Sequence, residues 1–198
     1  MSKAAPARAH PEGGARHDIR IIGGQWKRTR LAVADKPGLR PTPDRVRETL
    51  FNWLGQDLTG WRCVDAFAGT GALGFEAASR GAASVLMLEH DAGLVAQLRK
   101  VQDRLAAHAV KVQRGDGVAG LKAQAAGSAD LVLLDPPFDR DLFSAALQAG
   151  VHALAGDGQI YLEAPMAWDD AALQPLGLCV RRHLKAGAVH AHLLHRIA

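Results

Sequence analysis

A short tetrapeptide, Asp135-Pro136-Pro137-Phe138, follows the apolar run Leu131–Leu134 and is the part of the chain best suited to chemistry. The two prolines keep the backbone extended and remove two N–H donors, which leaves the Asp135 carboxylate and nearby carbonyls as acceptors. Such acceptors suit an amino group, and the Phe138 ring offers an apolar face on which a base can stack. Hydrogen bonds from the amine to Asp135 and to the Pro136 carbonyl would orient the nitrogen lone pair for attack. The motif therefore predicts a site that holds and aligns a substrate amine.

A second motif, V-D-A-F-A-G-T-G-A-L-G, spans Val64–Gly74 and predicts a strand that turns through glycines into a helix. Gly69 and Gly71 permit positive φ and close backbone approach, and a helix over Ala72–Arg80 directs free N–H groups at the turn. The spacing also fits the dinucleotide fingerprint, which is a weak signal by itself. The Asp65 carboxylate would repel a pyrophosphate but would suit an ammonium group and ribose hydroxyls. This favours S-adenosylmethionine over NAD, with an NAD-dependent dehydrogenase and a turn without ligand as alternatives.

Two more acids follow predicted strands. Glu89 closes V-L-M-L-E, where a ribose diol would be received, and Asp116 follows the next strand, where it would accept from an adenine amino group. Each acid alone could be a helix cap, which is the interpretation we prefer for Asp91. Together with Asp65, they place three acids at three successive strand ends and indicate one ligand.

The elements that must position these acids alternate between apolar strands and helices. Helices are predicted after Asp91 and over Asp139–Leu154, and the strand-like stretches are Arg62–Phe67, Ser84–Glu89, Val110–Arg114, Asp130–Leu134 and Gln159–Glu163. This alternation is typical of an α/β protein with a parallel sheet covered on both faces, which binds ligands at the carboxyl ends of its strands. Two final stretches, Leu178–Leu184 and Val189–Ile197, predict a hairpin of antiparallel strands at the sheet edge.

The N-terminal region combines positive charge with an aromatic ring. Ile19–Ile22 and Gln25–Leu31 predict a β-hairpin around Gly23-Gly24. Residues 1–50 carry a net charge of +6, whereas residues 51–198 carry −2, which indicates that this end contacts a polyanion. The hairpin residues suited to grip phosphates and stack on a base are Arg20, Trp26, Lys27, Arg28 and Arg30. A solvated charged hairpin and a noncatalytic nucleic-acid-binding module remain the alternatives.

A helix is predicted between the hairpin and the first glycine motif. Thr42 is expected to cap it with Pro43 at its first position, and Gly55 is expected to end it. Arg45 and Arg47 fall off the apolar stripe of this helix, so each faces either solvent or a ligand.

Composition limits the other functions. The chain has no apolar run long enough to span a membrane and no signal peptide, so the cytoplasm is the expected location. The two cysteines lie far apart in apolar stretches, which predicts free thiols. His190, His192 and His195 come closest to a zinc site, but no cysteine or carboxylate lies beside them, and we expect a solvent-facing strand and no metal.

The motifs together resemble a known family. The D-P-P-F and V-D-A-F-A-G-T-G-A-L-G motifs are similar to those of class I S-adenosylmethionine-dependent amino methyltransferases. The N-terminal blocks R-I-I-G-G-Q-W-K and L-R-P-T-P-D-R-V-R-E-T-L-F-N-W-L resemble the RsmD-type 16S ribosomal RNA guanine methyltransferases, over about residues 19–197. This resemblance implies methylation of a guanine 2-amino group, with 16S RNA, within a small-subunit particle, as the partner.

The resemblance also implies roles for particular residues. Asp135 to Phe138 would hold the target base, and the hairpin and Arg45 would face RNA. The residues expected around the cofactor are Arg40, Thr42, Asp65, Phe67, Ala68, Gly69, Thr70, Gly71, Glu89, His90, Asp116 and Gly117. Asp135 is Asp where many related amino methyltransferases have Asn, so the tetrapeptide alone leaves open an adenine methyltransferase acting on DNA or RNA.

The expected architecture follows. We predict a Rossmann-like, mostly parallel seven-stranded sheet with a C-terminal antiparallel hairpin and a small N-terminal hairpin arm. The predicted segments are a disordered basic tail over residues 1–18, an RNA-facing hairpin and helix over 19–55, and a cofactor-binding domain over 56–198. We expect a monomer.

Overall fold

A computed structural model describes residues 18–34, 36 and 42–197. The predicted disordered tail lies outside the described residues except for Asp18, and Arg40 also lies outside them. The strands in chain order are β1 (Asp18–Arg20), β2 (Arg30–Ala32), β3 (Arg62–Asp65), β4 (Ser84–Glu89), β5 (Val110–Arg114), β6 (Ala129–Leu134), β7 (Leu154–Ala164), β8 (Leu178–Ala186) and β9 (Val189–Arg196). The helices are α1 (Asp44–Leu54), α2 (Ala72–Ser79), α3 (Ala92–Arg104), α4 (Gly117–Lys122), α5 (Phe143–Ala153) and α6 (Asp170–Leu173).

The N-terminal hairpin is confirmed, with shorter strands than the sequence predicted. β1 and β2 pair antiparallel with Ile19 opposite Leu31. The expectation that the second strand begins at Gln25 is wrong, because residues 21–29 form the connection between the two strands. The Gln25 N–H donates to the Ser79 carbonyl at the end of α2 over 2.8 Å, so it is not available to a strand ladder. The connection is thus attached to the body of the protein.

Helix α1 begins at Asp44, one residue later than the predicted start at Pro43. Pro43 is the N-cap and no side chain caps the helix, so the prediction that Thr42 caps it is wrong. Thr42 is buried and donates its hydroxyl hydrogen to Glu163 instead. Gly55 ends the helix as predicted, in the left-handed conformation with φ 95°. The sequence predicted that Arg47 faces either solvent or a ligand. In the structure, its side chain is fully buried inside the protein.

The main sheet has seven strands in the order β5-β4-β3-β6-β7-β9-β8. The pairs from β5 to β7 are parallel, and β7–β9 and β9–β8 are antiparallel, which confirms the predicted architecture. β4 and β5 have the predicted bounds, whereas β3 stops two residues early, at Asp65. β7 begins at Leu154, which the sequence assigned to the preceding helix.

Two apolar cores cover the two faces of the sheet. Along β6, Leu131 and Leu133 join the core formed with α1, α2 and α3, whereas Val132 and Leu134 join the core formed with α4 and α5. Both faces of the central strands are therefore buried, which explains why β4 and β6 are almost continuously apolar. The N-terminal hairpin packs into the first core through Ile19.

The histidines of the C-terminal hairpin do not form the expected solvent-facing row. His192 is fully buried, and burial lowers its pKa to about 4. Its ring stacks on that of His183 with centroids 4.7 Å apart, and its Nε2 accepts the Trp168 N–H over 3.0 Å. The expectation fails for His192 because the His183 ring and the segment at Trp168 lie against its side chain.

Two further sequence expectations concern cysteine and membrane segments. Cys63 in β3 and Cys179 in β8 are free thiols. Within residues 18–34, 36 and 42–197, no helix is both long enough and apolar enough to cross a bilayer.

Candidate active site

The carboxyl ends of β3, β6 and β7 bring acidic side chains together at one edge of the sheet. β6 lies between the other two strands, with Leu133 opposite Asp65 on β3 and Leu134 opposite Leu162 on β7. Asp135 and Glu163 are the next residues along β6 and β7, so they are neighbours across the two strands. Asp65 and Asp135 therefore lie at adjacent strand ends, which is the arrangement that the two motifs required.

The glycine motif forms a tight loop between β3 and α2. Gly69 and Gly71 have φ of 51° and 80°, which side chains adopt rarely. The Gly74 N–H, in the first turn of α2, donates to Asp65 Oδ2 over 3.0 Å. A Cβ at Gly74 would lie 2.5 Å from the Met87 methyl carbon and 3.0 Å from Asp65 Oδ2, so a larger residue would require the Met87 side chain to shift. The loop thus has the conformation that the glycine spacing predicted.

Asp65 is a buried carboxylate in a position that suits a cation. Burial raises its pKa to about 7, the N–H groups of Gly74 and Phe67 lower it, and the charges of Glu89 and Glu163 raise it further. A positive group placed beside Asp65 would lower the pKa again and stabilise the ionised form. An ammonium group fits this requirement, whereas a pyrophosphate does not.

Glu89 joins the glycine loop to the end of β4. One carboxylate oxygen accepts the Gly69 N–H over 2.9 Å, and the other accepts the Asp91 N–H over 2.8 Å. The exposed His90 ring approaches the same carboxylate, with Nδ1 3.2 Å from Oε1. A carboxylate has about four acceptor positions, so Glu89 retains capacity for a hydroxyl group of a ligand.

Asp116 follows β5 and caps α4, because its Oδ1 accepts the Ala119 N–H over 2.8 Å. The cap that the sequence left open as an alternative is therefore present. The cap does not exclude a ligand at Asp116, since among the described residues no donor reaches its other oxygen, Oδ2.

The neighbouring Gly117 is buried close to the Ala66 carbonyl, and this contact brings α4 against the glycine loop. Ala68 and Thr70 in that loop are buried and Phe67 is half-buried.

Asp135 and Phe138 occupy the other side of the edge. Burial raises the Asp135 pKa well above its usual range, and the charges of Glu163 and Asp65 raise it further. The Phe138 ring is 41% exposed and lies 6.1 Å from the Phe143 ring, centroid to centroid. Phe143 in turn lies 6.4 Å from Trp168, so the three rings form an aromatic row beside the acids.

The backbone carbonyls of the tetrapeptide differ in their hydrogen bonding. The Pro137 carbonyl accepts the Arg140 N–H over 3.2 Å, which closes a turn after the motif. Among the described residues, no backbone N–H donates to the Pro136 carbonyl. This carbonyl and the Asp135 carboxylate are the acceptors that the sequence assigned to a substrate amine.

Glu163 is a candidate residue that sequence reasoning did not single out. It is 3% exposed, and its Oε1 accepts from the Thr42 hydroxyl over 2.6 Å and from the Tyr161 hydroxyl over 3.0 Å. The sequence does contain a signal for this residue, because Glu163 follows an apolar run in β7 in the same way that Glu89 follows one in β4. Thr42, expected beside the cofactor, contacts the acid next to Asp135.

A buried ionic network attaches the N-terminal hairpin to this edge. Glu76 of α2 accepts the N–H groups of Ile22 and Gly23, each over 2.7 Å. It also accepts from Arg80 over 2.9 Å and from Arg47 over 3.3 Å. Arg47 further donates to the Arg20 carbonyl over 2.9 Å and to the Thr42 carbonyl over 3.2 Å. A continuous series of contacts thus runs from the hairpin to Glu163.

The structure separates the expected RNA-facing residues into two groups. Trp26 is half-buried and packs against the first core, so part of its ring is unavailable for stacking. The other members of the set are exposed, and these are Arg20, Lys27, Arg28, Arg30 and Arg45. Arg30 lies 3.7 Å from Asp18, an exposed contact of little energetic weight.

Comparisons with known proteins give a consistent result. The family described as "Conserved hypothetical protein 95" matches residues 19–195. Ribosomal RNA small subunit methyltransferase D of Escherichia coli is 40% identical over 190 residues, which are 95% of each chain. The protein of the same name from Haemophilus influenzae is 43% identical over 136 residues, covering 67% of this chain and 70% of its own.

Solved structures agree with the sequence matches. The structure of yhhF from Escherichia coli superposes with a TM-score of 0.79 at 40% identity, covering 91% of this chain and 99% of its own. HI0767 from Haemophilus influenzae superposes with a TM-score of 0.74 at 30% identity, covering 91% and 99%.

Proposed function

The chain belongs to the Conserved hypothetical protein 95 family and has the class I methyltransferase fold, and from this we propose that it methylates the 2-amino group of a guanine in 16S ribosomal RNA. The methyl donor is S-adenosylmethionine. The observation that carries the proposal is the position of Asp135 beside Asp65, at the ends of adjacent parallel strands. One carboxylate suits a substrate amine and the other suits the ammonium group of the donor.

The residues at the edge of the sheet fit the donor. S-adenosylmethionine supplies an electrophilic methyl group on a sulfonium. The buried Asp65 favours its ammonium group, Glu89 has acceptor capacity for its ribose, and Asp116 has an oxygen for its adenine amino group. The remaining residues that we assign to this site are Thr42, Phe67, Ala68, Gly69, Thr70, Gly71, His90 and Gly117 on the described chain, together with Arg40.

The chain itself acts on the base through positioning and hydrogen bonding. An exocyclic amine is a weak nucleophile because its lone pair is delocalised into the ring. Acceptance of its two hydrogens by Asp135 and the Pro136 carbonyl favours a pyramidal nitrogen with a directed lone pair, while Phe138 stacks on the base. Positioning of this kind can supply roughly 7 kcal/mol of the barrier reduction. The methylated amine then loses a proton, which a carboxylate of raised pKa such as Asp135 is suited to receive.

The test of the proposal is methyl transfer to defined acceptors. Small-subunit particles, naked 16S RNA and duplex DNA are incubated separately with the protein and methyl-labelled S-adenosylmethionine, and excess S-adenosylhomocysteine serves as the inhibited control. We expect label in 16S RNA of the particles, recovered after nuclease digestion as N2-methylguanosine by mass spectrometry. Label on adenine, or on DNA alone, would instead support the adenine methyltransferase.

We further propose that the hairpin grips the RNA backbone of a small-subunit particle and that one copy of the chain acts in the cytoplasm. The exposed Arg20, Lys27, Arg28 and Arg30, with Arg45 on α1, supply the positive charge. The exposed part of the Trp26 ring supplies an apolar contact. The series of contacts from Glu76 to Glu163 supports this assignment, since it connects the basic hairpin to the site where the base is held.

Removing the hairpin charges should flatten the salt dependence of RNA binding. Lys27→Ala and Arg30→Ala are combined with Arg28→Asn, because Arg28 has φ 70° and asparagine tolerates this conformation. If all three residues contact phosphates, the slope of log affinity against log salt should fall by about 2. Fluorescence anisotropy with labelled 16S RNA measures the slope.

The matched control for this charge removal is a triple variant outside the hairpin, made of Lys122→Ala, Arg181→Ala and Arg182→Ala, all at exposed positions. Its slope should stay within about 0.5 of the original. An unchanged slope in the hairpin variant, with a reduced slope in the control, would place the RNA outside the hairpin.

A further inference from the structure

We propose that Glu163 is a specificity-determining residue that accepts the N1–H of the target guanine beside the amine held by Asp135. This inference rests on the proposed function. Guanine presents N1–H and its 2-amino group side by side, so that its edge offers adjacent donors. Adenine presents an amino group beside N1, which is an acceptor. A second acceptor next to Asp135 therefore selects guanine, a distinction that the D-P-P-F motif alone does not make.

The register of the sheet places the two acids next to each other. Leu134 of β6 is paired with Leu162 of β7 in parallel, and Asp135 and Glu163 are the residues that follow them. Neighbouring strands lie about 4.8 Å apart, and paired residues of parallel strands project to the same face. The two carboxylates can therefore approach neighbouring donors on one base edge.

The hydrogen bonds of Glu163 divide its two oxygens between different partners. Oε1 accepts both the Thr42 hydroxyl and the Tyr161 hydroxyl. Among residues 18–34, 36 and 42–197, no donor reaches Oε2. Oε2 thus keeps acceptor capacity, and a donor from the substrate would use it. The two protein donors hold the carboxylate in one orientation before the base arrives.

The surroundings keep Glu163 in the acceptor form more readily than Asp135. Burial raises the pKa of Glu163, and the Thr42 and Tyr161 hydroxyls together with the Arg47 charge lower it. Asp135 differs, because burial and the charges of Glu163 and Asp65 all raise its pKa. Thr42, Tyr161 and Arg47 thus favour the charged form of Glu163, in which it accepts a hydrogen bond.

The orientation of Glu163 depends on the same residue that holds the hairpin. Arg47 donates to the Thr42 carbonyl and to the Arg20 carbonyl. The Thr42 hydroxyl then donates to Glu163. Glu163, the acceptor for guanine N1–H, is thus positioned through the segment that we assign to RNA binding.

The test compares two bases that both carry a 2-amino group. RNA is prepared with either guanine or 2-aminopurine at the nucleotide that the protein modifies, since 2-aminopurine has a lone pair at N1 in place of N1–H. The N1 lone pair of 2-aminopurine would face Glu163 Oε2, so that two acceptors would meet without a hydrogen between them. We expect the unmodified protein to prefer guanine by roughly 100-fold or more in kcat/KM.

Glu163→Gln should reduce or reverse this preference. Thr42 and Tyr161 both donate to one oxygen, so the glutamine carbonyl stays with them and its NH₂ group replaces Oε2. That NH₂ group opposes guanine N1–H but donates to N1 of 2-aminopurine. We expect the guanine to 2-aminopurine ratio of kcat/KM to fall by about 100-fold. Asp157→Asn, an isosteric change at an exposed position near the start of β7, six residues before Glu163, should leave both rates within about twofold.

The outcomes separate the inference from the proposed function. An unmodified protein that accepts guanine and 2-aminopurine equally overturns the inference, and so does a Glu163→Gln protein that loses both activities in the same proportion. If Glu163→Gln does not fold, Thr42→Val keeps the carboxylate but removes one of its two donors, and it should lower the ratio by about tenfold. Failure to methylate any guanine, with transfer to adenine, would overturn the proposed function instead.

Discussion

Asp135→Ala should lower kcat for methyl transfer by about 10³-fold while leaving the affinity for S-adenosylhomocysteine within about threefold. The substitution removes the acceptor that orients the amine but leaves the glycine loop and Asp65 in place on the neighbouring strand. Single-turnover transfer to 16S RNA measures the rate, and calorimetry measures the affinity. Loss of cofactor binding would show that Asp135 belongs to the donor side of the site.

Asp135→Asn is the matched variant, since the amide oxygen remains an acceptor but takes up no proton. It should retain at least about a tenth of the activity. Burial raises the Asp135 pKa well above its usual range, so the original protein should lose activity as the pH falls below that raised value. The asparagine variant should show no such dependence. Equal pH profiles for the two proteins would mean that the Asp135 charge has no part in the reaction.

Glu76→Ala should lower the free energy of unfolding by about 4 kcal/mol, because it leaves two buried guanidinium groups without their carboxylate. It also leaves the N–H groups of Ile22 and Gly23 without the acceptor that they share in the native protein. For a chain of this length the melting temperature should fall by roughly 10 °C. Urea denaturation followed by circular dichroism measures the difference.

Two further variants test whether the network acts as a unit. Glu48→Ala, at an exposed position of α1, should change the stability by no more than about 0.5 kcal/mol. Arg47→Met combined with Glu76→Ala should cost less than the sum of the single changes, since removing both partners leaves fewer unpaired buried charges. A loss under about 1 kcal/mol for Glu76→Ala would mean that the hairpin is held by its apolar contacts and its hydrogen bonds to Ser79.

The features that the sequence predicted correctly depend on residues close together in the chain. β4 has the predicted bounds because it is a nearly unbroken apolar run, and β5 has them because Val alternates with polar residues in an edge strand. Asp91 caps α3 as predicted, by accepting the Leu94 N–H three residues later. Gly69 and Gly71 adopt positive φ because the turn between a strand and a helix requires it locally. The D-P-P-F motif likewise carries its acceptors within four residues.

The features that the sequence did not predict depend on partners far away in the chain. Thr42 has the local signature of a cap, yet its hydroxyl bonds Glu163, which is 121 residues away. Arg47 and His192 carry polar side chains at positions that the fold buries, one against Glu76 and the other under Trp168. The sequence by itself determined the motifs, the strands and the chemistry of each side chain. Only the tertiary structure decided which acids become neighbours, because strand order and register set those distances, and no local pattern encodes them.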